Sequence, residues 1–243
     1  NATAVIARMT GLVIAEDAAI SKMVTLSGGN WDLKDDFIHY GMQTEANSLK
    51  AWKLKTHIAV NAPTHTPGTG FTFNGTTQYI NSQFVDSVDG VNFSLNDGLT
   101  AVYNKTNNSV VSSMLYGSRG DGRTELQQNP SLVRFNFRVN SAAVDFFVTP
   151  TGLFEDETLF TAIRTASNVT GLYGGGYKLK IGSIGSTSLS SLAQFIGASN
   201  SGAGADNHYA GVISSYMKGA AIGFDIDLFN TRLKVLNIDL AAI

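Results

Sequence analysis

From Gly70 onward the chain is a succession of short apolar runs cut by clusters of Gly, Asn, Asp and Ser. That pattern leaves little room for helices and predicts many short strands. Phe71-Thr72-Phe73 leads into Asn74-Gly75, and Gln78-Tyr79-Ile80 leads out. Asn-Gly between alternating runs predicts a hairpin. Further runs cover Leu99 to Tyr103, Ser112 to Tyr116, Leu132 to Val139, Ala143 to Val148, Leu159 to Thr165, Gly171 to Ile181, Leu192 to Gly197 and Tyr209 to Gly219. Arg134-Phe135-Asn136-Phe137-Arg138-Val139 alternates polar with apolar, as a half-buried strand does. Such a series points to a sandwich or a barrel.

The composition suits one large β domain. There are 243 residues, 43% hydrophobic and only 15% charged, against roughly 25% charged in an ordinary soluble domain. Apolar material is ample for a core, so the chain is not a disordered one. A net charge of −2, with neither half strongly basic, argues against a nucleic-acid partner. No apolar run approaches the roughly 18 residues of a membrane helix, so no membrane insertion is expected. Without cysteine there are neither disulfides nor thiolate metal sites.

The two ends read differently. Ile14, Ala18 and Val24 recur at helical spacing, Glu16 and Asp17 favour a helix start, and Gly28-Gly29 ends it. A short helix is expected over about 14–27. Asn30-Trp31-Asp32-Leu33 and Asp36-Phe37-Ile38-His39-Tyr40-Gly41 read as aromatic anchors for an arm. Ser48 to Lys53 reads as a turn or short helix that buries Leu49 and Trp52. Residues 1–69 are thus expected to form an N-terminal helix and arm packed on a sandwich of residues 70–243, together one domain. At the C-terminus Phe229, Leu233, Leu236 and Leu240 share one helical face, capped by Asp225 or Asp227.

Four segments, in order, carry a family likeness: Gly70 to Ile80, Phe160 to Thr165, Phe195 to Asn200, and Tyr209 to Ser214. They resemble strands of the concanavalin A-like lectin/glucanase fold, laminin-G-like type. Gly29-Asn30-Trp31-Asp32 and Leu49-Lys50-Ala51-Trp52-Lys53 are similar to the opening of modules from tailed-phage virion proteins. The likeness runs along nearly the whole chain through individually weak motifs. It implies an all-β fold: a two-sheet antiparallel jelly-roll sandwich with short N-terminal and C-terminal helices at its edge.

The chemistry carried by single residues is sparse. Glucanases of this superfamily place alternating acids on one strand, as Glu-x-Asp-x-x-Glu. Glu155-Asp156-Glu157 comes nearest, but Phe160 stands where the last acid belongs, and a solvated turn is the simpler reading. His39, His57, His65 and His208 lack metalloprotease spacing; His57 and His65 flank Ala62-Pro63-Thr64 and read as loop packing. Gly174-Gly175-Gly176 reads as a hairpin turn. Arg119-Gly120-Asp121 is an integrin-ligand triplet by letter and a tight turn by chemistry. With Arg123 it offers charges that clasp sugar hydroxyls or carboxylates. Ser199 to Asn207 is a long loop of small and amide side chains. Arg119, Asp121, Arg123, Asn200, Asp206 and Asn207 are therefore the candidate glycan-binding residues. The laminin-G-like resemblance implies calcium at the sandwich rim, with Asp121 and Asp206 as ligands by type.

The expected function is non-catalytic: a virion surface, fibre, decoration or tail-associated protein of a tailed phage. Its expected partners are other virion subunits, copies of itself, and host surface glycans. A secreted, extracellular bacterial carbohydrate-binding or adhesion module is the alternative, and a glycoside hydrolase is the disfavoured one.

Overall fold

The computed structural model describes residues 2–107, 112–132, 134–148 and 157–243. The N-terminal part holds helices α1 (Ala2–Ile6) and α2 (Ile14–Leu26), strand β1 (Lys34–His39), the single turn α3 (Glu45–Ser48), and strands β2 (Ile58–Val60) and β3 (Thr64–Thr66). Then come β4 (Gly70–Asn74), β5 (Tyr79–Val85), the turn α4 (Asp86–Asp89), β6 (Gly98–Asn107), β7 (Ser113–Arg119), β8 (Arg123–Asn129), β9 (Arg134–Arg138) and β10 (Asp145–Val148). The remainder is β11 (Thr158–Ala166), β12 (Val169–Gly174), β13 (Tyr177–Gly182), β14 (Ala193–Ile196), β15 (Ser199–Asn200), β16 (Ala205–Asp206), β17 (Ala210–Gly219) and helix α5 (Ile226–Ala241).

The strands form two sheets. The first runs β13-β12-β11-β6-β17-β4-β3, with β1 beside β4 on the same flank of β17. The second runs β10-β9-β8-β7-β14-β5-β2, and the small β15–β16 hairpin joins it at β7. Pairing is antiparallel apart from the short β15–β7 contact. This is the two-sheet sandwich expected. Phe71, Phe73, Ile80, Leu126, Phe135, Phe137, Phe160 and Ile196 meet in the core between the sheets. Each such burial contributes about 1.5–3 kcal/mol.

Three expectations need correction. First, Asn74-Gly75 does not close a hairpin. β4 belongs to the first sheet and β5 to the second, so the turn is a corner between sheets. Asn74 Oδ1 accepts from the backbone N–H of Thr76, Thr77 and Gln78. Those local bonds close the turn without any pairing of its flanking strands.

Second, the sandwich begins before Gly70. β1, β2 and β3 all pair within the sheets. β1 is hidden in the sequence because Lys34, Asp35 and Asp36 are charged and yet buried. Burial of a charge is tolerated only where partners surround it. Asp35 accepts from the backbone N–H of Val91, Asn92 and Phe93. Asp36 Oδ2 meets His57 Nε2 at 3.0 Å.

Third, the long helices cover a face and not an edge. The outer side of the first sheet presents Phe37, Leu99, Ala101, Leu159 and Met217, an apolar surface that water does not solvate well. Phe229, Leu233, Leu236 and Leu240 of α5 and Ile20, Met23 and Val24 of α2 close over it. Asp225 is the N-cap of α5, its side chain accepting from the Leu228 N–H at 2.9 Å. The layers are therefore helices, first sheet, second sheet.

Candidate functional site

Among the described residues no long helix covers the outer face of the second sheet. Its side chains follow from register, because residues directly opposite one another project to the same side. Phe135 and Phe137 of β9 point inward, so Arg134, Asn136 and Arg138 point outward. Glu125 lies opposite Arg138, Gln127 opposite Asn136, and Phe146 of β10 opposite Asn136 on the other side. A row Gln127–Asn136–Phe146 thus crosses three strands, flanked by Arg138 on one side and Arg134 on the other.

The groups on this face are only partly satisfied. Asn136 Nδ2 donates to Gln127 Oε1 at 2.9 Å. Asn136 Oδ1, Arg134 Nε and Arg138 Nε are buried and have no hydrogen-bond partner, and Asn136 as a whole is only 9% exposed. The Phe146 ring is half exposed, with the Arg134 guanidinium 5.4 Å and Lys180 Nζ 5.0 Å from its centre. Four of the seven arginines of the chain, Arg119, Arg123, Arg134 and Arg138, stand on β7, β8 and β9. Glu125 is clasped between Arg138 and Arg119, the latter at 3.0 Å. Burial pulls the Arg138 guanidinium below its usual range; Glu125 opposes that, and the charges of Arg123 and Arg119 add to it.

The structure places the expected site residues as follows. Arg119 lies on β7 and not in a loop, bridging Glu125 and Asp206; its bond to Asp206 is 2.9 Å long. Asp206 also accepts from Asn207 Nδ2 at 3.2 Å. Asn200 Nδ2 donates to Ala193 O and its Oδ1 accepts from Gly202 N–H, so it shapes its own hairpin. Asp121 is exposed in the tight β7–β8 turn, where a Cβ on Gly122 would collide with the Ser188 carbonyl at 1.6 Å. Arg123 opens β8, directly opposite Arg119. Arg119, Asp206 and Asn207 are thus joined in one chain of contacts, while Asn200 serves its own hairpin. The β15–β16 hairpin folds onto the outer face over Gly117, where a Cβ would meet Ser199 Cα at 3.0 Å. Among the described residues no three His, Asp or Glu side chains gather as metal ligands.

Sequence reasoning missed Glu125, Gln127, Arg134, Asn136 and Arg138 as site residues. The alternation over 134–139 was legible, but its polar positions read as passive solvent contacts. β8 has a single large apolar residue, Leu126, and its strand pattern is hidden.

A second concavity, about 580 Å³, lies beside α5 and is bordered by Tyr103, Lys105, Glu157, Lys234 and Asn237. Lys105 and Glu157 pair across it at 3.7 Å. Burial and the Glu157 charge push the Tyr103 hydroxyl up to about 12. Of the acidic triplet considered for glycan cleavage, Glu157 is exposed here; Glu155 and Asp156 lie outside the described residues. His57 bonds Asp36 and Tyr40, whereas His65 bonds Ser48, so the two do not share a site.

Fold and face define a two-sheet antiparallel β-sandwich whose long helices lie on the outer side of the first sheet. No family model matches the chain, and no curated protein matches its sequence. Solved structures do match in fold. The botulinum neurotoxin serotype D binding domain superposes with a TM-score of 0.58 at 11% identity, over 82% of this chain and 52% of that one. Trypanosoma rangeli sialidase in complex with sialic acid gives 0.57 at 13% identity, over 83% of this chain and 33% of that one. The receptor binding domain of a botulinum neurotoxin C/D mosaic serotype gives 0.56 at 9% identity, over 82% and 51%. The chain therefore spans about half the length of the toxin domains and a third of the sialidase. At such identities the likeness is one of fold.

Proposed function

We propose that this chain is a non-catalytic glycan-recognition sandwich on the surface of a tailed-phage virion, reading sugars on the outer face of its second sheet. The observation that carries the glycan reading is the half-exposed Phe146 ring, with the Arg134 guanidinium 5.4 Å and Lys180 Nζ 5.0 Å from its centre. A sugar ring presents an apolar C–H face and a rim of hydroxyls. Its C–H face stacks on Phe146, and the Arg134 guanidinium and Lys180 ammonium beside the ring donate to hydroxyl, ring or carboxylate oxygens.

Each such contact is weak. Many copies on one particle, held by other virion subunits and by copies of this chain, turn weak contacts into firm attachment. The virion part of the reading is supported by the order of the sequence motifs. The sugar part also agrees with two neighbours in fold, one a toxin binding domain and one in complex with sialic acid. This face holds its ligand through guanidinium, ammonium and ring.

The test is a glycan array probed with the purified chain on a multivalent carrier, with and without calcium. Specific binding is expected, falling at least about tenfold in Phe146→Ala and in Arg134→Ala, for the lost stacking surface and for one to two lost charge-assisted bonds. Lys234→Ala, on the far side, leaves it unchanged. Silence across a broad array in both conditions overturns glycan recognition and leaves a purely structural virion role.

A further inference from the structure

Lys218, near the end of β17, and Asp86, at the start of α4, meet between the two sheets. Lys218 Nζ donates to Asp86 Oδ1 and, at 3.0 Å, to Gln194 Oε1. Neither Lys218 nor Asp86 has any exposed side-chain surface. The rings of Phe93 and Phe84 stand 4.5 and 5.6 Å from Nζ. Asp36 lies directly opposite Lys218 across the β1–β17 pair, so both side chains project between the sheets. Asp36 Oδ2 is held by His57, while its Oδ1 is buried and unpartnered.

We propose that Lys218 and Asp86 condense to an intramolecular isopeptide bond, with Asp36 as the proton carrier. In water an ammonium and a carboxylate do not react, because the nitrogen has no free lone pair and the carboxylate carbon is a poor electrophile. Burial among aromatic rings disfavours both charges. It lowers the Lys218 pKa against the opposing charges of Asp86 and Asp36, and raises that of Asp86 against Lys218. Moving one proton from Nζ to the Asp86 carboxylate yields an amine beside an acid. The Nζ lone pair then attacks Cγ. A proton from Nζ passes to Asp36 and from there to a hydroxyl on the tetrahedral carbon. The C–O bond breaks, water departs, and the Nζ–Cγ amide remains; Asp36 ends as it began. The reacting groups are already in contact, so no encounter entropy opposes the step.

The bond joins residues 132 positions apart and ties the central strand of the first sheet to the end of β5 in the second. It does for this cysteine-free chain what a disulfide does elsewhere. The inference is independent of the glycan reading.

Intact-mass spectrometry of the denatured whole chain tests it. Loss of water places the chain about 18 Da below the mass of its sequence, as a covalent modification. Proteolysis then releases one branched peptide containing both Asp86 and Lys218. Lys218→Arg keeps the charge, cannot condense, and runs at its own full sequence mass. Asp36→Asn gives a mixture in which the linked fraction grows at least about tenfold more slowly, as expected for loss of a proton carrier. A wild-type chain that stays at full sequence mass after prolonged incubation in the folded state overturns the proposal. Linkage in Asp36→Asn at the wild-type rate overturns the role of Asp36.

Discussion

His39 Nε2 lies 3.0 Å from Asn237 Oδ1, joining strand β1 to helix α5 in a site closed to water. The other ring nitrogen, Nδ1, accepts the Gly41 backbone N–H at 3.0 Å. The ring is therefore neutral, with its proton on Nε2. A second proton has no place to go, because Nδ1 already faces a donor.

That relationship predicts acid sensitivity. Burial brings the His39 pKa down to about 4; the Asn237 bond opposes this and the Lys105 charge adds to it. The unfolded value is near 6.5, so between these limits the unfolded chain holds a proton that the folded chain does not. Stability is full above pH of about 6.5 and falls as pH drops toward about 4, by roughly 3 kcal/mol in all. Urea denaturation from pH 7 to pH 4 measures the slope. His39→Gln should flatten it; an unchanged slope in that variant assigns the acid sensitivity to other groups.

Arg164 predicts a large loss of stability. Its side chain is buried, Nε donates to Val139 O at 2.7 Å, and Nη1 donates to Ala166 O, Ser167 O and Ile184 O. Arg164→Ala strands these carbonyls and leaves a cavity. The expected cost is about 3–5 kcal/mol, visible as a lower urea midpoint. Arg164→Lys recovers only part of it, because one ammonium cannot reach four carbonyls spread over three segments.

Asn136 predicts a gain of stability on substitution. Asn136→Val removes a buried unpaired oxygen and places a β-branched residue on a strand. Thermal unfolding should shift upward, by about 1 kcal/mol in stability. A variant that is less stable than wild type would mean that the Gln127 bond, and not the unpaired oxygen, dominates that position.

Much of the architecture was legible because periodicity is local. The strand at Arg134–Arg138, the helix at Ile14–Leu26 and the apolar stripe of α5 each declare themselves within a dozen residues. Two elements did not. β1 opens with three charged residues and β8 carries one large apolar residue, so neither shows a strand pattern. β1 pairs with Met217 and Tyr216 of β17, far along the chain, and β8 is held by the neighbouring β9 through Phe135 and Phe137 and not by a pattern of its own. The candidate site was harder still. Arg119 was named from the loop chemistry around it, yet its partners Glu125 and Asp206 lie 6 and 87 positions away.

By itself, the order of residues determined the class of fold, the absence of thiol chemistry, and which short segments bury their side chains. Those properties depend on composition and on spacings of two or three to four residues, which the chain carries wherever it is read. The tertiary structure alone decided that Asn74-Gly75 crosses between sheets, that the long helices cover the outer face of the first sheet, and that Lys218 finds Asp86. Each depends on which distant strands become neighbours, and that is settled by the summed burial of the whole core.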